Sequence, residues 1–173
     1  MTPIISIVGK SNSGKTTFIE KMVRELKRKH YKVAVVKHDT HGFDIDHPGK
    51  DTWRMAQAGS DIVMISSPNK MAMIKKTSNE YTLDQLQVQI MDEVDIILTE
   101  GYKNGNKPKI EITRGNLHSG LHCSRNELVA IVTDQRFNLD VPQFGLNDSS
   151  GVVELIIHSF LKPKKENKEV FAL

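Results

Sequence analysis

The sequence lacks the features of several specialised protein classes. It holds one cysteine, Cys123, so no intramolecular disulfide can form, and a reducing compartment is expected. Its apolar runs reach five residues at most, whereas a membrane-spanning helix needs about 20. The first residues carry neither the charged region nor the apolar region of a signal peptide. We therefore expect a cytoplasmic protein that makes no contact with a membrane.

A strong excess of charge is also missing. Lys and Arg number 24 against 21 for Asp and Glu, which gives a net charge of +3 at pH 7. Part of this excess lies in a predicted basic tail over residues 164–173. So mild an excess suits an anionic small ligand, and it gives no support for a nucleic acid polymer as a partner.

What the sequence does contain is an alternation of short β-branched runs and amphipathic stretches. The apolar run Ile4–Val8 is typical of a buried parallel strand, and a helical pattern from Lys15 leads to a second run at residues 33–36. Further core strands are predicted at residues 94–99 and 128–132. Elements that alternate in this way predict an α/β fold with a mostly parallel twisted sheet flanked by helices.

Turn and capping residues add detail to this fold. Turn chemistry between two apolar runs predicts an antiparallel hairpin over residues 61–74. Thr82 followed by Gln85 predicts a helix with a capping box, and Ser149 or Ser150 begins the last helix.

A phosphate-binding loop follows the first predicted strand. Two glycines separated by four residues, then Lys and Thr, form the P-loop pattern: Gly9, Lys10, Ser11, Asn12, Ser13, Gly14, Lys15 and Thr16. Its backbone N–H groups form a concave nest for phosphate, and Gly14 lets the backbone approach without a Cβ. Lys15 is expected to reach the β- and γ-phosphates, and the Thr16 hydroxyl to bind Mg²⁺. The motif predicts a P-loop NTPase fold with a single nucleotide-binding domain over residues 1–163.

Lys10 is a further candidate nucleotide-binding residue. It directly follows the first glycine, where a large class of dimeric P-loop proteins keeps a lysine that touches phosphate. A solvated lysine in a polar loop is the simpler interpretation.

A P-loop also needs a carboxylate at the end of a neighbouring buried strand, to hold Mg²⁺ or to order the attacking water. Glu100 stands at the carboxyl end of the predicted strand 94–99, and Gly101 allows a sharp turn after it. We predict that Glu100 is the catalytic and metal-site carboxylate.

Titratable residues crowd the segment that follows the second predicted strand, Lys37–Arg54. The candidate ligand-binding residues in it are His38, Asp39, His41, Lys50, Asp51 and Arg54. Ligands of open α/β sheets bind beyond the carboxyl ends of the strands, so this segment is expected to meet the phosphate loop. A second group, His118, His122 and Cys123, is a candidate zinc or nickel site, although solvated loop histidines are the simpler explanation.

Five sequence segments along the chain match the motifs of one protein family and occur in the same order. They are Gly9–Thr17, Lys37–His41, Gly49–Arg54 with Ala58 and Gly59, Glu100–Lys103, and Ala130–Asp134. Together they resemble the molybdopterin-guanine dinucleotide biosynthesis protein B family, small dimeric GTP-binding proteins that assist conversion of molybdopterin to its guanine dinucleotide form. The resemblance covers nearly the whole domain. It implies a homodimer whose partners are GTP, molybdopterin and the molybdopterin guanylyltransferase, protein A of the same pathway.

The same resemblance implies roles for individual residues. Phosphate and Mg²⁺ would be held by Gly14, Lys15, Thr16 and Thr17. Glu100 would act at Mg²⁺ and the γ-phosphate, and Asp134 would lie near the base. The candidate residues of Lys37–Arg54 would contact the pterin or a partner protein. The Asn-Lys-x-Asp guanine signature of other GTPases is absent, and Thr133-Asp134 is a shorter substitute. GTP and Mg²⁺ are the implied cofactors. Because the sequence places no Arg or Gln clearly at the reacting phosphate, we expect a GTP-binding adapter with slow hydrolysis.

Two other functions stay open at this point. A small-molecule kinase would use the same P-loop, with an arginine-bearing lid drawn from Arg114, Arg125 or Arg136. A metallochaperone GTPase for nickel insertion would explain the His and Cys residues.

Overall fold

The computed structural model describes residues 2–115 and 120–164. The chain divides into two compact units, the larger comprising Met1–His38 with Leu86–Leu173 and the smaller Asp39–Gln85, in the parts that are described. Residues 165–173 of the predicted basic tail lie outside the described residues. The single nucleotide-binding domain over residues 1–163 stays a prediction.

The described elements follow one another as strands and helices along the chain. In order they are β1 (Ile4–Val8), α1 (Lys15–Arg28), β2 (Val33–Lys37), α2 (Asp51–Gln57), β3 (Ile62–Ser67), β4 (Lys70–Lys75), α3 (Leu83–Ile90), β5 (Ile96–Glu100), β6 (Lys109–Thr113), β7 (Leu128–Thr133), β8 (Gln143–Phe144) and α4 (Ser149–Phe160). A short 3-10 helix, Arg125–Glu127, precedes β7. Within the described residues, no helix combines the length and the apolar content that crossing a membrane requires.

A six-stranded sheet forms the centre of the larger unit. Its strand order is β2-β5-β1-β6-β7-β8, and every pairing in it is parallel. Every residue of β1 is buried, in keeping with an apolar run inside a parallel sheet. Helix α1 buries Phe18, Ile19, Met22 and Leu26 in the same core cluster as Val152, Val153 and Ile156 of α4. The predicted α/β class, with a mostly parallel sheet flanked by helices, is confirmed.

The smaller unit contains the antiparallel hairpin. Strands β3 and β4 pair from Ile62 opposite Lys75 to Ser67 opposite Lys70, so Pro68 and Asn69 form the turn. The capping box is also confirmed, since Thr82 N donates to Gln85 Oε1 at 2.9 Å and Gln85 N donates to Thr82 Oγ1 at 3.2 Å.

Strand β6 is the central element that sequence reasoning missed. Its alternating charged and apolar residues suggest a solvated segment, yet Lys109 and Glu111 are each only 1% exposed. Lys109 Nζ donates to the Gly105 carbonyl at 2.6 Å and pairs with the Glu127 carboxylate. Glu111 accepts the backbone N–H groups of His122 and Cys123 at 2.8 and 2.9 Å. These polar partners let a charged strand lie inside the sheet. The two-residue strand β8 was also missed.

The parallel pairing has one consequence for function. Because all six strands of this sheet run the same way, the segments that leave β1, β2, β5, β6 and β7 emerge at one edge. The candidate nucleotide site of the larger unit lies at that edge.

We expect Glu111→Ala to lower the free energy of unfolding by about 2 kcal/mol, because two backbone N–H groups lose their acceptor. Urea unfolding followed by circular dichroism measures this loss. Glu20→Ala is the matched control: Glu20 lies on the exposed face of α1 in a surface ion pair with Arg24, and we expect a change within about 0.5 kcal/mol. Equal stability of the two variants would contradict the role assigned to Glu111.

Candidate functional site

The loop between β1 and α1 has the backbone of an anion-binding nest. Gly9, Asn12 and Gly14 have positive φ values of 143°, 63° and 98°, and α1 begins at the next residue, Lys15. Left-handed residues of this kind curve a loop so that its N–H groups converge, and the N-terminus of α1 adds a partial positive charge. The sequence-predicted residues Lys10, Ser11, Asn12, Thr16 and Thr17 are exposed, whereas Ser13 is fully buried.

The two glycines of the loop are required for different reasons. A Cβ on Gly9 would lie 2.3 Å from the Ile112 carbonyl oxygen of β6, which is backbone and cannot move aside. A Cβ on Gly14 would instead lie 3.0 Å from Nη2 of Arg114. Glycine at position 14 therefore has two uses: it is expected to let the backbone approach phosphate, and it leaves room for the Arg114 side chain.

Lys15 folds back across this loop. Its Nζ donates to the carbonyl oxygens of Gly9 at 3.1 Å and Lys10 at 2.8 Å. Partial burial lowers the pKa of Lys15, the nearby Lys37 lowers it further, and Glu100 acts in the opposite direction. A bound anion would favour the charged form of Lys15 and offset this cost.

Glu100 and Thr16 lie together although 84 residues separate them in sequence. Thr16 Oγ1 is 3.0 Å from each oxygen of the Glu100 carboxylate. Glu100 ends β5 and pairs in register with Ile7 of β1 and Lys37 of β2, so the sheet itself fixes its position beside the loop. One hydroxyl and one carboxylate are oxygen donors of the kind that Mg²⁺ prefers, so these residues fit the metal that the motif implies.

The turn after Glu100 is held by His38. The backbone N–H of His38 donates to the Glu100 carbonyl at 3.0 Å, and the His38 ring stacks on the Tyr102 ring with centroids 4.6 Å apart. Between them, Gly101 has φ +98°, and a Cβ there would lie 3.2 Å from the His38 Cβ. His38, predicted as a pterin or partner residue, thus belongs to the surroundings of Glu100.

Asp134 stands at the end of β7. Its Oδ1 accepts the Gly115 backbone N–H at 2.8 Å, which ties the end of β7 to the residues that leave β6. A cleft of about 440 Å³ opens beside it, lined by Thr133, Gln135, Arg136, Phe137, Val141, Gln143, Phe144 and Gly145.

Sequence reasoning named Arg114 only as a candidate lid arginine of a kinase, whereas in the structure the side chain reaches the phosphate loop. Its Nε donates to the Ser13 carbonyl at 3.0 Å, across 101 residues of sequence. An arginine one residue after a buried strand is a signal that could have been followed, had β6 been recognised.

The remaining predicted pterin or partner residues belong to the smaller unit. Asp39, His41, Lys50, Asp51 and Arg54 are all exposed. Asp39 Oδ1 accepts the His41 N–H at 2.9 Å, and Asp51 and Arg54 form an ion pair at 3.9 Å within α2. Their expected approach to the phosphate loop stays a prediction.

The candidate zinc or nickel residues are only partly within the described chain. His118 lies outside it. Burial, with the nearby Glu111 carboxylate, raises the pKa of Cys123 to about 12, which disfavours the thiolate that binds metals. In residues 2–115 and 120–164, no three His, Cys, Asp or Glu side chains are grouped so that they could hold a metal ion.

Comparison with known proteins identifies relatives over most of the chain. Residues 4–134 match the model of the family described as molybdopterin guanine dinucleotide synthesis protein B. A molybdopterin-guanine dinucleotide biosynthesis adapter protein of Haemophilus influenzae is 33% identical over 162 residues, which cover 91% of each chain. The adapter protein of the same name from Escherichia coli is 31% identical, over 91% of this chain and 93% of the relative.

Solved structures agree with these sequence matches. A crystal structure of molybdopterin-guanine biosynthesis protein B superposes with a TM-score of 0.70 at 29% identity, covering 90% of this chain and 97% of the other. The crystal structure of Bacillus subtilis MobB superposes with a TM-score of 0.72 at 26% identity, covering 94% and 99%.

We expect Gly9→Ala to destabilise the protein more than Gly14→Ala does. At Gly9 the added Cβ meets a backbone oxygen at 2.3 Å, whereas at Gly14 it meets the end of a flexible arginine. Both positions have positive φ, so each substitution also introduces backbone strain. We expect losses of at least about 2 kcal/mol for Gly9→Ala and about 1 kcal/mol for Gly14→Ala in urea unfolding. Equal losses would show that the approach of the loop to β6 is not tight.

Proposed function

The chain belongs to the molybdopterin guanine dinucleotide synthesis protein B family, and from this premise we propose that it is a GTP-binding adapter in molybdenum cofactor biosynthesis. It assists conversion of molybdopterin to molybdopterin guanine dinucleotide and hydrolyses GTP slowly. The observation that carries the nucleotide part of the proposal is the site around the phosphate loop. There a cationic Lys15 and a Thr16–Glu100 pair meet at the N-terminus of α1.

Each residue of the site has a part in binding. The loop N–H groups and Lys15 bind the phosphates, since an ammonium group is a suitable point charge for them. Thr16 and Glu100 supply oxygen donors for Mg²⁺, which when bound neutralises charge on the phosphates. Glu100 also orders the water that attacks the γ-phosphate.

Slow hydrolysis follows from the placement of the arginine at the loop. GTPases are slow alone when no Arg or Gln acts at the γ-phosphate. Arg114 leaves β6, on the side of β1 away from β5 and Glu100, because β1 lies between β5 and β6 in the sheet. A partner that adds a group near Glu100 would accelerate the reaction.

The smaller unit supplies the contact with molybdopterin or with the guanylyltransferase that acts beside this protein. A cleft of about 420 Å³ in that unit has apolar walls, from Ile45, Val63, Ile65, Ala72 and Ile74, and charged residues at its rim, including Lys50. Molybdopterin has a phosphate and a heteroaromatic ring system, which a cationic rim on apolar walls would suit. From the segment Lys37–Arg54, Lys50 and His47 line the cleft together with Asp46 and Asp51, so Lys50 is the cation for the phosphate.

We also propose that the protein is a homodimer. In support, one face of the hairpin presents Ile62, Met64, Met71 and Met73, which are between 47% and 60% exposed. Apolar side chains that lie together on a surface are typical of an interface with another polypeptide.

We expect Glu100→Gln to bind GTP and to lose most of its hydrolysis, because the amide keeps the hydrogen bond from Thr16 but lacks the negative charge that faces Mg²⁺. Affinity and turnover are measured for GTP, ATP and their diphosphates with Mg²⁺. Lys15→Ala is the companion variant, and it should lose triphosphate binding while its unfolding transition stays cooperative. Unchanged turnover in Glu100→Gln would place the catalytic carboxylate elsewhere, and wild-type GTP affinity in Lys15→Ala would refute the phosphate site.

The double variant His41→Ala, Lys50→Ala should separate the two roles of the protein. Both residues are exposed and belong to the smaller unit, so we expect GTP affinity to change less than tenfold, about 1.4 kcal/mol or less. Support for molybdopterin guanylylation should be lost when it is assayed with the transferase present. Full support from the variant would reduce Lys37–Arg54 to a solvated loop.

A further inference from the structure

We propose that Arg114 is a specificity-determining residue that recognises the O6 and N7 edge of guanine. The proposal rests on the proposed GTP binding and extends it to the base, for which the sequence has only the short Thr133-Asp134 pair in place of the Asn-Lys-x-Asp signature.

The position of Arg114 in the sheet places it between phosphate and base. The strands β1, β6 and β7 are consecutive neighbours and parallel, so the phosphate loop, Arg114 and Asp134 leave the same edge in that order. Glu100 leaves β5 on the other side of β1. A nucleotide whose terminal phosphates lie at Glu100 and whose base lies at Asp134 must therefore pass Arg114.

Contacts of the Arg114 side chain and of the next residue hold this part of the chain between the phosphate loop and β7. On the loop side its Nε donates to the Ser13 carbonyl at 3.0 Å, and its Nη2 occupies the space that a Cβ on Gly14 would need. On the other side the next residue, Gly115, donates its N–H to Asp134 Oδ1. A Cβ on Gly115 would lie 2.3 Å from the Gln135 side chain, so the ends of β6 and β7 pack closely.

The electrostatics of this position favour a ligand. The guanidinium lies beside Gly14 at the N-terminus of α1, where the partial positive charge of the helix makes a cation unfavourable unless acceptors beyond the Ser13 carbonyl are added. Two buried hydroxyls near Arg114 have no hydrogen-bond partner among the described residues. Ser13 Oγ belongs to the residue whose carbonyl accepts from Arg114, and Thr113 Oγ1 belongs to the residue that precedes Arg114.

Guanine complements this pair of residues and adenine does not. Guanine presents two acceptors, O6 and N7, and a guanidinium donates to both at once. On the neighbouring edge its N1–H and N2–H₂ groups are donors, for which the Asp134 carboxylate is an acceptor. Adenine presents an N6–H₂ donor where guanine has O6, so it would face Arg114 with a donor against a donor.

The test measures the affinities of wild type, Arg114→Ala and Arg114→Lys for GTP, ATP and 7-deaza-GTP, which lacks the N7 acceptor. Wild type should prefer GTP over 7-deaza-GTP by about tenfold or more, and over ATP by a larger factor. In Arg114→Ala the preference over 7-deaza-GTP should vanish and the preference over ATP should shrink by at least about tenfold. Arg114→Lys should keep more affinity than Arg114→Ala without restoring the preference.

The control is Arg125→Ala, which removes an arginine in a surface ion pair with Asp140 and should leave all three affinities unchanged. Equal losses for GTP, ATP and 7-deaza-GTP in Arg114→Ala would overturn the proposal and leave a contact with phosphate. A fall in turnover with unchanged affinities would overturn it in favour of a catalytic arginine. If wild type binds none of the nucleotides, it is the proposed GTP binding itself that fails.

Discussion

The approach of the phosphate loop to β6 is the contact on which the rest of the site depends. Gly9 lies so close to the Ile112 carbonyl that any side chain would collide with backbone. Strand β1 also pairs with β5 on its other side, so the loop is held between two strand ends. One of those ends brings Glu100 to Thr16, and the other brings Arg114 to Ser13. The loop therefore contacts the Glu100 carboxylate on one side and the Arg114 guanidinium on the other. The parallel pairings of β1 with β5 and with β6 fix both positions.

Strand β6 can fill this role because its buried charges have partners. Lys109 is paired with Glu127 and the Gly105 carbonyl, and Glu111 accepts two backbone N–H groups. Removal of one of these partners would leave Lys109 or Glu111 with an uncompensated charge in the interior. The same contacts hold residues 122–127 against the sheet. The strand that carries Arg114 is thus positioned by specific hydrogen bonds as well as by apolar packing.

The two units differ in how far they bury their apolar residues. The larger unit buries its apolar residues in a helix-covered sheet, which suits a rigid frame around a nucleotide. In the smaller unit, large apolar side chains such as Phe43, Met64 and Met71 remain between 58% and 72% exposed. Surfaces of that composition are used for contact with other molecules. The proposed function needs both properties, a firm nucleotide site and a surface that a partner can cover.

The sequence by itself determined the features whose signal lies within a few residues. These are the phosphate loop, the hairpin turn at Pro68 and Asn69, and the capping box at Thr82. It also predicted that Glu100 is near the loop, because the carboxyl ends of parallel strands share one edge. It could not identify β6, since a lysine or glutamate in a strand is buried only if a partner 11 to 18 residues away folds onto it. Only the tertiary structure placed Arg114 on Ser13, because the order of strands in the sheet, and no local spacing, joins residues 101 positions apart.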